Sequence, residues 1–273
     1  MTARNQPCTC GSGRRYKHCC GGLAAVAPVQ EGSKYDRNGY YTEPYRREGM
    51  ASECTDMPPG RAASSGWIPP GLLVVENFLD SATAREWRGY FEGQESRRAT
   101  IRDATRRNPD GSPAFRPDKG RITDFVPMGE LESEIQATLK NAYTDTIAPY
   151  FGREIDWMTY PTVLKYRAGG LYKTHADSEH WDKHARRWVR GLDRDFSLLL
   201  YVNDDYEGGT LYFPNFDFRL TPGAGMLVAF PSDHRYMHAA ETLVSGERFA
   251  LVSWAAARGV PRLNPLPPGA VTF

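Results

Sequence analysis

His175 and Asp177 stand one residue apart at the end of LKYRAGGLYKTHAD, residues 164–177. Side chains alternate across a strand, so a strand here places both on one face. An imidazole beside a carboxylate can be a hydrogen-bonded pair. It can also be two-thirds of a metal site. His238, in YMHAAETLVSGERFALVSW, would complete a 2-His-1-carboxylate triad. Such a triad binds ferrous iron on one side and leaves the remaining positions open for a cosubstrate and oxygen. Two neutral imidazoles and one carboxylate offset only part of the ion's charge, so an anionic cosubstrate is favoured.

Arg248 lies ten residues past His238. A guanidinium grips a carboxylate through two parallel hydrogen bonds. Deep in a sheet core, an arginine needs an anion to offset its desolvation. A dicarboxylate bound to iron at one end and to Arg248 at the other satisfies both needs, and 2-oxoglutarate has that shape. His234 is the rival third donor, but it lies fourteen residues before Arg248, not ten. His180 and His184 read as solvated loop residues.

These side chains need strands to position them. GLLVVENF opens a folded region near Trp67. A helix follows, capped by Asp80 or Ser81, with Ala84, Trp87 and Phe91 on one face and Gly93 near its end. Residues 94–120 are polar and basic with no regular pattern, as in a lid or binding loop. Leu131, Ile135, Leu139 and Tyr143, four apart, predict a second helix over about 129 to 147. Beyond Arg153 come short strands split by turn residues, among them FSLLLYV, GTLYFP, GMLVAFP and RFALVSWA. The pattern predicts a mostly β fold with flanking helices, a double-stranded β-helix or jelly roll. The domain spans 67–260, with a tail over 261–273. Residues 23–66 read as a largely irregular linker. Their aromatic run YYTEPYRREG is suited to packing on the domain.

Four of the five cysteines fall within residues 8–20, in CTCGSGRRYKHCC. Cys8, Cys10, Cys19 and Cys20 could make a closed tetrahedral zinc site, and so short a segment would take its folding energy from the metal. Reactive or disulfide-bonded thiols are the alternative, and His18 could replace a neighbouring cysteine. Cys54 stands alone and is assigned nothing. The net charge of +1 gives no strong nucleic-acid signal. No apolar run has the length of a membrane span, and the N-terminus shows no secretory h-region. The expectation is a cytoplasmic protein.

The pieces VVENFLD, YRAGGLYKTHAD, LLLYVNDDYEGGTLYFP, GAGMLVAFPSDHRYMH and SGERFALVSWA follow one another in a telling order. Over roughly residues 67–258 the chain resembles the prolyl 4-hydroxylase-like branch of the 2-oxoglutarate- and Fe(II)-dependent dioxygenases. The resemblance implies His175, Asp177 and His238 as iron ligands and Arg248 as partner of the distal 2-oxoglutarate carboxylate. It implies that Tyr166 hydrogen-bonds that carboxylate and that Thr210 and Trp254 line the pocket. It also implies O2 as cosubstrate, ascorbate as reductant, and hydroxylation with release of succinate and CO2. The substrate class implied is a prolyl residue of a peptide or protein. A free amino acid, or an idle jelly roll serving as adaptor, stays open. Residues 178–194 are longer and more charged than the family pattern, which bears on substrate choice. The cysteine head resembles the SEC-C motif, a zinc module implied to contact proteins or the ribosome.

Overall fold

The computed structural model describes residues 34–62, 66–111 and 113–273, together with positions 6, 7 and 15. The four cysteines of the head and His18 lie outside the described residues. The helices used here are α1 (Glu48–Glu53), α2 (Ser81–Glu92) and α3 (Glu132–Asn141). The strands begin with β1 (Leu73–Val75), β2 (Arg97–Arg98), β3 (Arg121–Ile122), β4 (Asp124–Val126) and β5 (Ile155–Met158). They continue with β6 (Thr162–Arg167), β7 (Leu171–His175), β8 (Glu179–Asp182), β9 (Arg187–Arg190) and β10 (Phe196–Tyr201). The last are β11 (Leu211–Phe213), β12 (Phe218–Leu220), β13 (Leu227–Pro231), β14 (His238–Ala240) and β15 (Glu247–Ala257).

The larger sheet runs β1-β13-β10-β15-β6-β4-β2, with β5 also paired to β15. The smaller runs β12-β11-β14-β7-β3. All these pairings are antiparallel. The two sheets close on a shared cavity, giving the jelly roll that the strand pattern predicts.

Alternation along β15 decides what faces that cavity. Phe249, Leu251 and Ala255 join the core shared with α2 and α3. Arg248, Ala250, Val252 and Trp254 point the other way and line the cavity. A one-residue slip would exchange the sets, so burial of the helix-facing row fixes where Arg248 points. Asp80 caps α2, accepting from the amides of Ala82 and Thr83, and Ala84, Trp87 and Phe91 are buried. The second helix continues beyond α3 as a π-helical stretch, Ala142–Ile147, and a final turn, Ala148–Phe151.

Within the segment read as linker, residues 34–62 are packed. α1 lies here, and Tyr41, Met50 and Cys54 are buried in a second core with Phe213, Phe230 and Tyr236. The charged insertion after Asp177 explains how. β8 and β9 form a hairpin whose Trp181 and Trp188 donate to the carbonyls of Arg37 and Gly39. Gly39, at φ +86°, lies against Trp181, where a Cβ would meet the ring at 2.5 Å. The tail also returns to the fold: Val271–Thr272 pairs with β5, and Asp193 accepts from the amides of Leu263 and Asn264.

Candidate metal centre

β7 and β14 are neighbours, and His175 is the register partner of His238. Asp177 follows β7 by two residues. The pairing brings His175, Asp177 and His238 together, with one ligand atom from each within 4.8 Å of the others. Nε2 of His175 is 3.6 Å from Asp177 Oδ1, and Nε2 of His238 is 3.7 Å from Oδ2. Those gaps are too long for hydrogen bonds. They suit two donors sharing an ion about 2 Å from each.

Both imidazoles are held in one tautomer. Nδ1 of His175 lies 2.8 Å from the Lys173 carbonyl, and Nδ1 of His238 lies 3.1 Å from that of Tyr236. A carbonyl only accepts, so each Nδ1 donates and each Nε2 lone pair faces the cluster. Ser197 Oγ donates to Asp177 Oδ2 at 2.7 Å and is itself 2.7 Å from Ser232 Oγ. Burial lowers His238 to about 4, leaving it neutral near pH 7. Burial pushes the Asp177 carboxyl up, but the facing His238 and His175 rings and Arg194 outweigh it and hold it well below the usual carboxylate range. Neutral imidazoles and an ionised carboxylate are the forms that ligate a metal.

Arg248 lines the same cavity, of about 270 Å³, with Tyr166, Tyr201, Leu211 and Trp254. It is 2% exposed. Its Nη1 donates to the Gly209 carbonyl, and its guanidinium stacks 4.1 Å above the Tyr166 ring. Gly209, at φ +66°, comes so close that a Cβ there would meet Nη1 at 2.9 Å. The Arg248 Nε is buried with no hydrogen-bond partner. An anion's oxygen would satisfy it, so the residues present fit a carboxylate at one end and a divalent ion at the other.

Two further arginines stand at the mouth. Arg194 lies 3.6 Å over the Trp254 ring and donates to the Asp177 carbonyl at 3.1 Å. Arg121 lies 4.9 Å over Tyr172, whose ring stacks on His175 with centroids 3.8 Å apart. The sequence reading passed over both, since neither belongs to a strand motif.

Residues 161–256 match the family model described as the 2OG-Fe(II) oxygenase superfamily. That match runs from β6 into β15 and takes in His175, Asp177, His238 and Arg248. Residues 4–22 match the SEC-C motif. Among curated proteins, prolyl 3-hydroxylase 3 of Homo sapiens is 44% identical over 66 residues, and prolyl 3-hydroxylase 2 of Rattus norvegicus is 35% identical over 66. Each match covers 22% of this chain and spans only 9% of the relative's length. The fold is similar to that of a prolyl hydroxylase of Trichoplax adhaerens, solved with a hypoxia inducible factor peptide. That likeness has TM-score 0.51 and 20% identity, over 68% of this chain and 83% of the other. A Pseudomonas putida prolyl-4-hydroxylase gives TM-score 0.47 and 21% identity, over 69% and 94%.

The other residues singled out from sequence fall as follows. Tyr166 and Trp254 line the cavity with the triad. Thr210 does not; it is half-buried, its carbonyl accepts from the Glu241 amide, and the neighbouring Leu211 faces inward instead. His234 stands apart, with Nδ1 2.6 Å from Glu179 Oε2. His180 and His184 are exposed. Cys54 is buried and free. Among the described residues no helix is long and apolar enough to cross a membrane.

Proposed function

We propose that the chain is a 2-oxoglutarate- and Fe(II)-dependent dioxygenase that hydroxylates a prolyl residue of a peptide or protein. One observation carries this reading: a three-donor cluster shares its cavity with a buried arginine whose Nε has no partner. His175, Asp177 and His238 would hold the iron, and Arg248 with Tyr166 the distal carboxylate of the keto acid. Iron with 2-oxoglutarate and O2 supplies the oxidation, in which a substrate C–H becomes C–OH and the keto acid leaves as succinate and CO2.

The rest is the work of side chains. The Lys173 and Tyr236 carbonyls keep the imidazole tautomers fixed, and Ser197 orients the Asp177 carboxylate. Arg248, fixed by Gly209 and Tyr166, sets where the keto acid ends and hence how it presents its other end. Leu164, Leu199, Leu211 and Val252 make the walls apolar and exclude bulk water. Support for a prolyl residue comes from the prolyl hydroxylases that this chain resembles. Support for a peptide comes from a groove of about 580 Å³ that opens beside Trp254, too large to be needed by a lone amino acid. Zinc on Cys8, Cys10, Cys19 and Cys20 would give the head its fold and a surface for a protein or ribosomal partner.

The test is succinate formation from 2-oxoglutarate with Fe(II) and ascorbate, alongside thermal stabilisation by the inert analogue N-oxalylglycine. Mass spectrometry of the host proteome, wild type against a His238→Ala strain, would then find the residue that gains one oxygen. Neither succinate above an iron-free control nor any stabilisation would end the proposal.

A further inference from the structure

Arg121 and Arg194 both line the triad cavity and both line the groove outside it. They mark the passage between the two. Each rests on aromatic rings: Arg194 on Trp254, Arg121 between Tyr172 and Phe125, at 4.9 and 5.2 Å. The Arg121 Nε is buried with no partner, and Arg194 spends one Nη1 bond on the Asp177 carbonyl. Adjacent, half-buried like charges are costly unless an anion joins them. Of the other arginines at the groove, Arg98 pairs with Asp124, as Arg167 does, and Arg97 lies over the Phe125 ring.

The surroundings reinforce the charge. Arg97 and Arg98 line the groove beyond the pair, with Phe115 62% exposed at its edge. A basic, aromatic-edged groove leading to a narrow cavity suits an extended chain with carboxylates along it.

We propose that the substrate is an acidic peptide, in which a carboxylate flanking the residue to be hydroxylated seats between Arg121 and Arg194. This rests on the oxygenase reading for which residue is oxidised, but the anion site stands on its own geometry. A guanidinium pair fixes the backbone on either side of the target and sets which C–H faces the metal cluster.

The test uses the full chain and fluorescein-labelled, end-blocked peptides with a central proline flanked by Glu, Gln or Lys. Anisotropy titration should give about tenfold tighter binding for Glu than for Gln, weakening steeply with salt, and weaker still for Lys. Arg121→Gln and Arg194→Gln should each remove most of the Glu preference, and the double variant all of it, with melting temperatures unchanged or raised. Equal binding of the Glu and Gln peptides to the wild type, or no binding of either, overturns the proposal. So does displacement of the peptide by N-acetylglutamate at equal concentration, which would assign the pair to a small carboxylate. Succinate formation in the same preparation reads the oxygenase proposal separately. Its absence with the Glu preference intact would sink that reading and leave this one standing.

Discussion

Two histidine–carboxylate clusters are anchored on one short segment, four residues apart, and they are built in opposite ways. At His234 every ring atom that can bond is used. Nδ1 meets Glu179 at 2.6 Å, and Nε2 lies 3.0 Å from the Tyr35 hydroxyl and 3.2 Å from that of Tyr41. Trp188 stacks on the ring, with centroids 5.2 Å apart. At His238 only Nδ1 is used, and Nε2 faces a carboxylate across a gap of 3.7 Å. A closed network holds the chain together; an open one is kept from closing so that something else can enter. The contrast marks His234 as structural and supports the proposed role of His238 as a ligand without appeal to resemblance.

The largest effects should fall on the open cluster. Asp177→Ala and His238→Ala are each expected to abolish iron binding and succinate formation. His238→Ala should leave the melting temperature of the metal-free protein nearly unchanged, whereas Asp177→Ala should lower it, because Arg194 and Ser197 lose the carboxylate they face. His234→Ala should do the reverse, keeping iron stoichiometry and losing stability by about 1–3 kcal/mol, because it takes one hydrogen bond each from the Glu179 carboxylate and the Tyr35 and Tyr41 hydroxyls. Iron analysis and calorimetry on the two variants read both halves. Iron retained in His238→Ala but lost in His234→Ala would invert the assignment.

Arg248→Ala comes next. It is expected to weaken 2-oxoglutarate by roughly 30- to 1000-fold, the cost of truncating one partner of a buried charge pair, and to erase the stabilisation by N-oxalylglycine. Iron binding should survive, because Arg248 touches none of the three ligands. Metal analysis beside a KM measurement separates this from a general loss of fold. A smaller step is Ser197→Ala. Its hydroxyl touches Asp177 and no other member of the triad, so iron affinity should fall about 10- to 100-fold with the keto-acid KM less affected.

How much of this could be read from the chain follows the same division. The open cluster was legible because His175, His238 and Arg248 sit on strands and Asp177 lies just past the end of one. Strand alternation was expected to put Asp177 on the face of His175, whereas β7 ends at His175 and a bend carries Asp177 to the cluster. The sandwich itself was legible from turn residues and alternation. Arg121 and Arg194 were not, because one sits at a strand edge and the other in a loop, and only closure of the two sheets makes them neighbours. Ser197 was hidden for a similar reason: a serine inside FSLLLYV looks like a tolerated small residue until its partner is known. The packed stretch over 34–62 has no apolar period, since it docks through single rings, Tyr35 onto Trp181 of a hairpin inserted much later in the sequence and Tyr41 onto His234. Thr210 was carried over on motif position, and the alternation of β11 sends Leu211 inward in its place.

The smallest effect should be one of pH, and it tests whether the closed cluster is closed by charge as well as by shape. Burial pushes the Glu179 carboxyl up, but the hydrogen bonds and charge of His234, with Arg235, hold it below its ordinary value of 4.5. Glu53 accepts from the Tyr41 hydroxyl and pairs with Lys34, which lies over the Tyr35 and Tyr41 rings. Because the folded value is depressed, the unfolded chain takes up this proton first as pH falls. The stabilisation is therefore whole above the ordinary value and is lost as pH drops through the folded one. Glu179→Gln removes that titration. The difference in melting temperature between wild type and variant should be largest near neutral pH, of the order of 1 kcal/mol and a few degrees. It should then shrink as the pH is lowered below that ordinary value. A difference that stays constant across that range would mean that packing of Tyr35, Tyr41 and Trp188 holds the cluster and that the carboxylate adds no charge-dependent part.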